Sequence, residues 1–254
     1  GLRDAHLAKS PIIALTGGRE ANHRDRWAYQ EVDDVPAFAP YTKMNAVVDD
    51  PARLPDMLRQ AFRVATTGSP GPVHLQLAGN TGQAIENAEI DFDGVIEAQY
   101  GQVPPDRPQP DLNKVREAAK RISEARRPVI VAGGGVKYSG AYEALNKLAE
   151  AMHVPVATSL NAKDAILDNN PLCVGVVGTY SRRSANQIVA EADLVIFVGT
   201  RAGGMTTHFW TIPAKGTPTI QVDIDPLVNG RNYPTDVSIV GDARVTLEKM
   251  NELN

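Results

Sequence analysis

Cysteine, positive charge and long apolar runs are all scarce in this chain. Its 254 residues include one cysteine, Cys173, which excludes an internal disulfide and a multi-cysteine zinc site and indicates a reducing compartment, the cytoplasm. The 26 Lys and Arg residues against 30 Asp and Glu residues leave a net charge of -4, which argues against a nucleic-acid partner. Apolar runs such as Leu194–Val198 fall far short of the roughly 20 residues that span a bilayer. We therefore expect a soluble chain with no membrane partner.

The signatures of several catalytic classes are also missing. The five histidines show neither H-x-x-H nor H-E-x-x-H spacing, so the sequence predicts no metal site built from this chain alone. No G-x-S-x-G elbow occurs, which argues against an α/β hydrolase. A hydrophobic content of 43% with 22% charged residues excludes wholesale disorder. The length is sufficient for one or two domains.

The first 80 residues predict an α/β unit. Short apolar runs that end in turn residues are typical of parallel strands buried on both faces. Such strands are expected over residues 11–18, 41–48 and 73–77. Asp49 or Asp50, followed by Pro51, predicts the start of a helix that closes at Gly68. Residues 1–10 resemble the tail of a helix and lack an initiator Met, so we expect the chain to begin inside a larger domain.

Residues 81–110 predict an extended linker, because apolar clusters are few and four prolines lie close together near its end. Beyond it, residues 111–254 alternate regularly between helical and strand patterns. Helices are expected over residues 111–125, 139–152, 184–192 and 243–253, and strands over residues 129–132, 154–158, 194–198 and 219–223. This alternation predicts an α/β fold with a doubly wound, mainly parallel sheet of the Rossmann type.

Three consecutive glycines, Gly133, Gly134 and Gly135, follow a predicted strand and precede a helix expected to start near Ser139. Backbone N–H groups at this position of a doubly wound sheet bind phosphate in many nucleotide-binding proteins. A tight turn that needs small residues explains the glycines equally well. A strict G-x-G-x-x-G is absent because Tyr138 stands where the last glycine would fall.

The residues after the other strands give mixed signals. No carboxylate follows the second strand of the larger domain, where Thr158 and Ser159 offer hydroxyls instead, and this argues against a nicotinamide dehydrogenase. Asp223 is expected to contact a ligand, whereas Asp225, ahead of Pro226, is expected to cap a helix. Arg201 fits either a phosphate contact or a solvated loop. Gln30 and Glu31 fit the polar face of a helix.

Several segments together carry a resemblance to a known family. They are residues 13–18, 28–33, 41–43, 61–62 and 65–73 in the first part, and residues 128–135, 188–199, 221–225 and 241–243 in the second. In order and spacing they resemble thiamine-diphosphate-dependent enzymes of the acetolactate synthase group, over essentially the whole chain.

The resemblance implies that the chain is a fragment of a larger enzyme. Residues 1–80 would be the later half of the pyrimidine-binding domain and residues 111–254 the central Rossmann-like domain. The glutamate that activates the cofactor and the domain that binds its diphosphate through Mg²⁺ would lie outside the chain. The parent would be a thiamine-diphosphate- and Mg²⁺-dependent homodimer or homotetramer acting on 2-oxo acids, and the fragment would be inactive alone. The missing strands would leave an exposed sheet edge, which favours association.

The resemblance also implies candidate site residues. Gln30 and Lys43 would lie near the active-site entrance, across a dimer interface. The central domain of this family binds FAD, ADP or nothing. The corresponding positions are Gly133, Gly134, Gly135, Thr158, Ser159, Gly178, Gly199, Arg201, Asp223, Ile224, Gly241 and Asp242. Ser69 and the uncharged residues after Arg201 replace charged residues of the flavin-binding relatives, which weakens the case for FAD. The alternative function is a stand-alone module that binds FAD or ADP.

Overall fold

The computed structural model describes residues 1–79, 87–90 and 97–253. The chain divides into two compact units, Gly1–Asp106 and Arg107–Asn254. Residues 97–106 thus group with the first unit and residues 107–110 with the second, whereas most of the remaining predicted linker lies outside the described residues. Within the described ranges, no helix is long and apolar enough to cross a membrane.

The first unit contains a three-stranded parallel sheet with the order β1-β3-β2. Its helices and strands are α1 (Leu2–Ala8), β1 (Ile13–Gly18), α2 (Asp34–Phe38), β2 (Met44–Val48), α3 (Leu54–Thr66) and β3 (Val73–Ala78). Short 3₁₀ helices cover Ala21–His23, Ala39–Tyr41, Pro51–Arg53 and Ala98–Gly101. The three strands and the main helix that the sequence predicts are therefore present.

Helix α3 covers one face of this sheet. The Asp50 side chain accepts a hydrogen bond from the N–H of Ala52 at 3.0 Å, which caps the 3₁₀ turn that leads into α3. The apolar side of α3 then packs against the strands, in a core that includes Ala61, Val73 and Leu75. The predicted helix start at Asp50 agrees with this structure.

A buried polar network lies on the other face. His74 on β3 is fully buried and stacks on Phe38, with 4.2 Å between ring centroids. Its Nδ1 lies 2.6 Å from Asn45 Oδ1, and its Nε2 lies 2.7 Å from Thr16 Oγ1. Because the amide nitrogen of Asn45 donates to the carbonyl oxygen of Val35, its oxygen faces His74. Neutral His74 therefore donates from Nδ1 and accepts the Thr16 hydroxyl proton at Nε2.

This burial predicts a pH dependence of stability. Desolvation lowers the pKa of His74 below its ordinary value of 6.5, against an opposing effect of Asp34. Below that value the unfolded chain binds more protons than the folded chain, so the free energy of unfolding falls as the pH drops from about 7 to about 5. Urea unfolding at both pH values should show this loss for the natural chain and a smaller loss for His74→Gln. An identical pH dependence in the two proteins would contradict the assignment.

The second unit contains a six-stranded parallel sheet with the order β6-β5-β4-β7-β8-β9. Its strands are β4 (Pro128–Ala132), β5 (Val156–Thr158), β6 (Cys173–Val176), β7 (Leu194–Val198), β8 (Thr219–Asp223) and β9 (Val237–Val240). Its helices are α4 (Leu112–Glu124), α5 (Gly134–Ser139), α6 (Tyr142–Met152), α7 (Arg183–Ala190) and α8 (Ala243–Glu252), and a 3₁₀ helix covers Leu160–Ala162. Counted within this unit, the strand order is 3-2-1-4-5-6, the doubly wound arrangement of Rossmann folds. The predicted fold class is confirmed.

Successive side chains along the central strands point to opposite faces of the sheet, so the core forms two layers. Ile130 and Ile196 belong to the apolar cluster on one face of the sheet. Val131 and Phe197, the next residues along β4 and β7, belong to the cluster on the opposite face. Both faces are therefore covered, as the continuous apolar runs of these strands require.

Three predictions of local structure were wrong. The glycines were expected to form a turn before a helix over residues 139–152, but a short helix starts at Gly134 and ends at Ser139, and the predicted helix is shortened to Tyr142–Met152. Gly140 then caps the end of α5 in the left-handed conformation, with φ 62°. α6 follows as a separate helix. Asp225 caps a turn rather than a helix, since its carboxylate accepts from the N–H of Leu227 and residues 226–230 form turns. Gln30 lies in a turn and Glu31 directly follows it, so neither residue is on a helix.

Candidate functional site

The glycine turn lies where the strand order of the second unit reverses, between the carboxyl ends of β4 and β7. The N–H of Gly133 donates to the carbonyl oxygen of Val198 at 2.8 Å, and the N–H of Gly135 donates to that of Gly199 at 2.9 Å. Two of the three glycine N–H groups are thus already hydrogen-bonded to the protein itself.

The space available for a Cβ explains why glycine is required at two of these three positions. A Cβ on Gly133 would overlap the carbonyl oxygen of Gly199, and a Cβ on Gly135 would lie 2.6 Å from the Cα of Gly199. A Cβ on Gly134 would meet nothing closer than Asn161 Cβ at 3.5 Å. The first and third glycines therefore permit direct backbone contact between two loops, which supports the tight-turn interpretation over the phosphate interpretation.

The other predicted positions at this edge are also occupied by protein contacts. Thr158 and Ser159 are buried, and the N–H of Ser159 donates to the carbonyl oxygen of Ala132 at 2.8 Å. Gly178 has φ 111°, and a Cβ there would overlap the carbonyl oxygen of Met205. These contacts fix the loops after β5, β6 and β7 relative to one another.

The acidic end of β8 forms hydrogen bonds within its own loop. Asp223 Oδ1 accepts from the N–H of Asp225 at 3.0 Å, and the side chain of Asp223 is 9% exposed. Ile224 is half-buried. Arg201 is exposed, and its carbonyl oxygen accepts from the side-chain amide of Asn232 at 2.8 Å. The structure thus brings Asp223 and Arg201 to the same edge of the sheet.

Asp242 has a structural role that sequence reasoning missed. It is the N-cap of α8, with its Oδ1 accepting from the N–H of Val245 at 3.1 Å. The same carboxylate lies 3.0 Å from Arg107 Nη1 and accepts the Ser139 hydroxyl at 2.8 Å. A Cβ on the preceding Gly241 would lie 3.2 Å from Pro110. We call Arg107, Ser139 and Asp242 the α8 clasp; nothing local in the sequence signals it, because its members are far apart in the chain.

Lys43 and Gln30 lie in the first unit in different surroundings. The ammonium group of Lys43 donates to the carbonyl oxygens of Val64, at 2.5 Å, and Thr67, at 2.7 Å. These carbonyls belong to the end of α3, where a cation is favourable. Gln30 is exposed and has a left-handed backbone with φ 58°.

The loop after β7 contains non-glycine residues in the left-handed conformation. His208, Phe209 and Trp210 have φ values of 47°, 55° and 61°, a conformation that costs non-glycine residues roughly 1–2 kcal/mol each. The buried Thr207 holds the turn: its hydroxyl donates to Gly203 and accepts from the N–H of Trp210, both at 3.0 Å. Phe209 and Trp210 remain more than half exposed.

The geometry defines the second unit as a doubly wound domain in which the loops after β4 and β7 contact each other directly at the switch point. A family model for the central domain of thiamine pyrophosphate enzymes matches residues 115–250. The chain belongs to this family, since the match spans more than half of its length.

Curated relatives match the chain across both units. The probable acetolactate synthase large subunit of Methanocaldococcus jannaschii is 37% identical over 252 residues, which cover 98% of this chain and 42% of that protein. The acetolactate synthase of Arthrospira platensis is 34% identical over 98% of this chain and 43% of its own length. The acetolactate synthase large subunit of Corynebacterium glutamicum is 34% identical over 99% and 39% respectively. The chain thus spans about two fifths of the length of these relatives.

The described residues do not fit the metal-bound end of thiamine diphosphate. Within residues 1–79, 87–90 and 97–253, no group of three or more His, Cys, Asp or Glu side chains is arranged to hold a metal ion. The carboxylates at the carboxyl edge of the larger sheet, Asp223 and Asp225, form hydrogen bonds to backbone N–H groups. Both carboxylates therefore make contacts within their own loop.

Proposed function

We propose that this chain is the scaffold portion of an acetolactate synthase-like enzyme that depends on thiamine diphosphate and Mg²⁺ and acts on 2-oxo acids. The observation that carries the proposal is the 37% identity to an acetolactate synthase large subunit across 98% of the chain. That alignment runs through both compact units, so both correspond to consecutive parts of one longer relative. The cofactor-activating glutamate and the diphosphate site belong, in this proposal, to segments outside the 254 residues.

The geometry supports a scaffold role for the second unit. Its glycine turn binds a neighbouring loop through Gly133 and Gly135, and Asp242 caps α8. No observation favours the alternative of a stand-alone FAD or ADP module, and we do not propose it.

We further propose that the parent enzyme is a cytoplasmic homodimer or homotetramer. The single cysteine supports a reducing compartment. In the first unit, β1 is an edge strand on which Leu15 is 53% exposed, and an edge of this kind is normally covered. Additional chain or a second subunit would cover it.

A chimera tests the proposed activity. This chain alone, supplied with pyruvate, thiamine diphosphate and Mg²⁺, is expected to form no acetolactate. In the chimera, the chain replaces the matched segment of the M. jannaschii large subunit, and acetolactate formation is expected to return. Light scattering on the same sample should give the mass of a dimer or tetramer.

The control is a second chimera that carries an unrelated Rossmann-type domain in place of this chain, which should be inactive. Turnover of pyruvate by the isolated chain would overturn the scaffold proposal. A folded chimera of the natural chain with no activity would overturn the assignment to acetolactate synthase chemistry.

A further inference from the structure

The sequence contains one Asn-Gly pair, Asn229 and Gly230, which lies between β8 and β9. The N–H of Arg231 donates to the carbonyl oxygen of Val228 at 3.3 Å and closes a turn around the pair. Gly230 stands at the third position of this turn with φ 75°, in the left-handed region that a type II turn requires there. We call residues 228–231 the Asn229 turn.

Asparagine followed by glycine is prone to deamidation, because glycine has no side chain to obstruct the reaction. The backbone nitrogen of Gly230 loses its proton and attacks Cγ of Asn229, so a C–N bond forms and the Cγ–Nδ2 bond breaks. Nδ2 takes up a proton and leaves as ammonia. Water then opens the cyclic imide at either carbonyl, which leaves aspartate or isoaspartate at this position. Water is the only co-reactant.

Both reacting groups are held by hydrogen bonds in the folded chain. The N–H of Gly230 donates to Gln221 Oε1 at 3.0 Å. The side-chain amide of Asn229 donates from Nδ2 to the carbonyl oxygen of Ile239 at 3.1 Å, which holds the carboxamide against β9. Attack on Cγ requires the Gly230 nitrogen to leave its acceptor and the carboxamide to turn. The reaction therefore needs a local opening of the Asn229 turn.

The side chain of Gln221 is itself fixed in position. Gln221 lies on β8, which pairs with both β7 and β9, and it is 2% exposed. Its Nε2 donates to the carbonyl oxygen of Thr200 at 3.1 Å, so Oε1 is the atom that faces Gly230. A buried side chain with both ends hydrogen-bonded has little freedom left to lose, which makes it an effective anchor for the turn.

We propose that Asn229 is a deamidation site and that Gln221 protects it, so that conversion proceeds through opening of the Asn229 turn. The product would lose the amide donor to Ile239 and place a carboxylate beside that carbonyl oxygen. Among the described residues, no group forms a hydrogen bond to the buried Asn229 Oδ1. A buried charge without a donor is costly, so conversion would loosen the turn from β9. The inference is independent of the proposed function.

Peptide mass spectrometry during incubation at mildly alkaline pH measures the conversion of Asn229. The folded natural chain should convert at least about tenfold more slowly than the same chain in denaturing urea, because the turn is closed most of the time. Gln221→Met keeps the buried volume and removes the acceptor. It should speed conversion about two- to tenfold, the factor that one hydrogen bond contributes to an opening equilibrium.

Gln187→Met is the matched control. Gln187 is exposed on α7 and its side-chain amide donates to Glu191, so this variant should convert at the rate of the natural chain. Urea unfolding shows whether each variant is folded. Hydrogen exchange of the Gly230 N–H in the natural chain is a second measurement that needs no variant, and it should be at least about tenfold slower than in the unfolded chain.

The possible results separate the site from its protection. Equal conversion rates in the folded and unfolded natural chain would overturn the protection. A folded Gln221→Met variant that converts at the natural rate would overturn the role of Gln221. Unprotected exchange at Gly230 would overturn that role as well, even where the variant fails to fold. An unfolded natural chain that keeps Asn229 unconverted would overturn the site itself.

Discussion

Gly135→Ala is expected to lower the free energy of unfolding of the second unit by on the order of 3 kcal/mol, at the upper end of the usual cost of overpacking. The new Cβ would lie 2.6 Å from the Cα of Gly199 and 3.1 Å from its carbonyl oxygen. Both are backbone atoms, so relief requires the loops after β4 and β7 to separate. That separation would also lengthen the hydrogen bond from the N–H of Gly135 to Gly199.

Gly134→Ala is the matched control for this prediction. Its Cβ would meet nothing closer than 3.5 Å, and Gly134 is the first residue of α5. Alanine is the better helix former, so the change in unfolding free energy should be within about 0.5 kcal/mol of zero. Urea unfolding of the two variants side by side checks both values. Equal destabilisation by the two substitutions would refute the loop-contact explanation of the glycines.

Asp242→Ala is expected to destabilise the second unit by about 3 kcal/mol. The substitution removes the cap of α8, the acceptor of the Ser139 hydroxyl and the partner of Arg107 together. Loss of one member of a buried ion pair costs about 3–5 kcal/mol. We expect the lower end because the side chain of Arg107 is 33% exposed and is partly rehydrated when its partner is lost.

Two further variants separate the contributions within the α8 clasp. Asp242→Asn keeps a capping oxygen but loses the charge, so its cost should be about half that of Asp242→Ala. Asp111→Ala removes the exposed cap of α4, in which Asp111 accepts from the N–H of Asn113 at 2.8 Å, and should cost about 1 kcal/mol. Chemical denaturation provides all three values. A loss for Asp242→Ala no larger than that for Asp111→Ala would show that Arg107 and Ser139 contribute nothing.

The central strands could be predicted because strands buried on both faces have apolar residues at every position. The run Leu194–Val198 is apolar at every position, and every residue of β7 is buried. A strand covered on both faces has no polar side to display, so its sequence pattern identifies it without tertiary information.

The edge strands were not predictable in the same way. β6 (Cys173–Val176) and β9 (Val237–Val240) each have one neighbour in the sheet, and both retain partly or fully exposed residues. Their four-residue patterns mix apolar, small and polar residues. Only pairing with β5 and β8 makes them strands, and that pairing depends on residues distant in the chain.

The position of the candidate site could be predicted from the sequence, but whether it binds a ligand could not. The glycines after β4 lie at the switch point, where the alternation of helices and strands places them. Whether their amides face a ligand or the loop at Gly199 depends on the path of a strand more than 60 residues later, since Gly135 donates to Gly199. Gln30 and Glu31 were expected on a helix, because a turn held by a side-chain carboxylate, as Glu31 holds the N–H groups of Asp25 and Ala28, has no periodicity of its own.

Pairing in the two sheets also restricts the order in which the growing chain can fold. β1 pairs with β3, with Ile13 opposite Val73, and so has to wait for the intervening β2 and α3 to be synthesised. In the second unit, Val131 of β4 lies beside Ala157 of β5 and Phe197 of β7, so one edge of this apolar strand stays open until β7 has left the ribosome's exit tunnel. Long-range parallel pairing of this kind is slow and exposes apolar segments during synthesis. A nascent chain of this protein therefore exposes β1 until β3 is available and one edge of β4 until β7 is available.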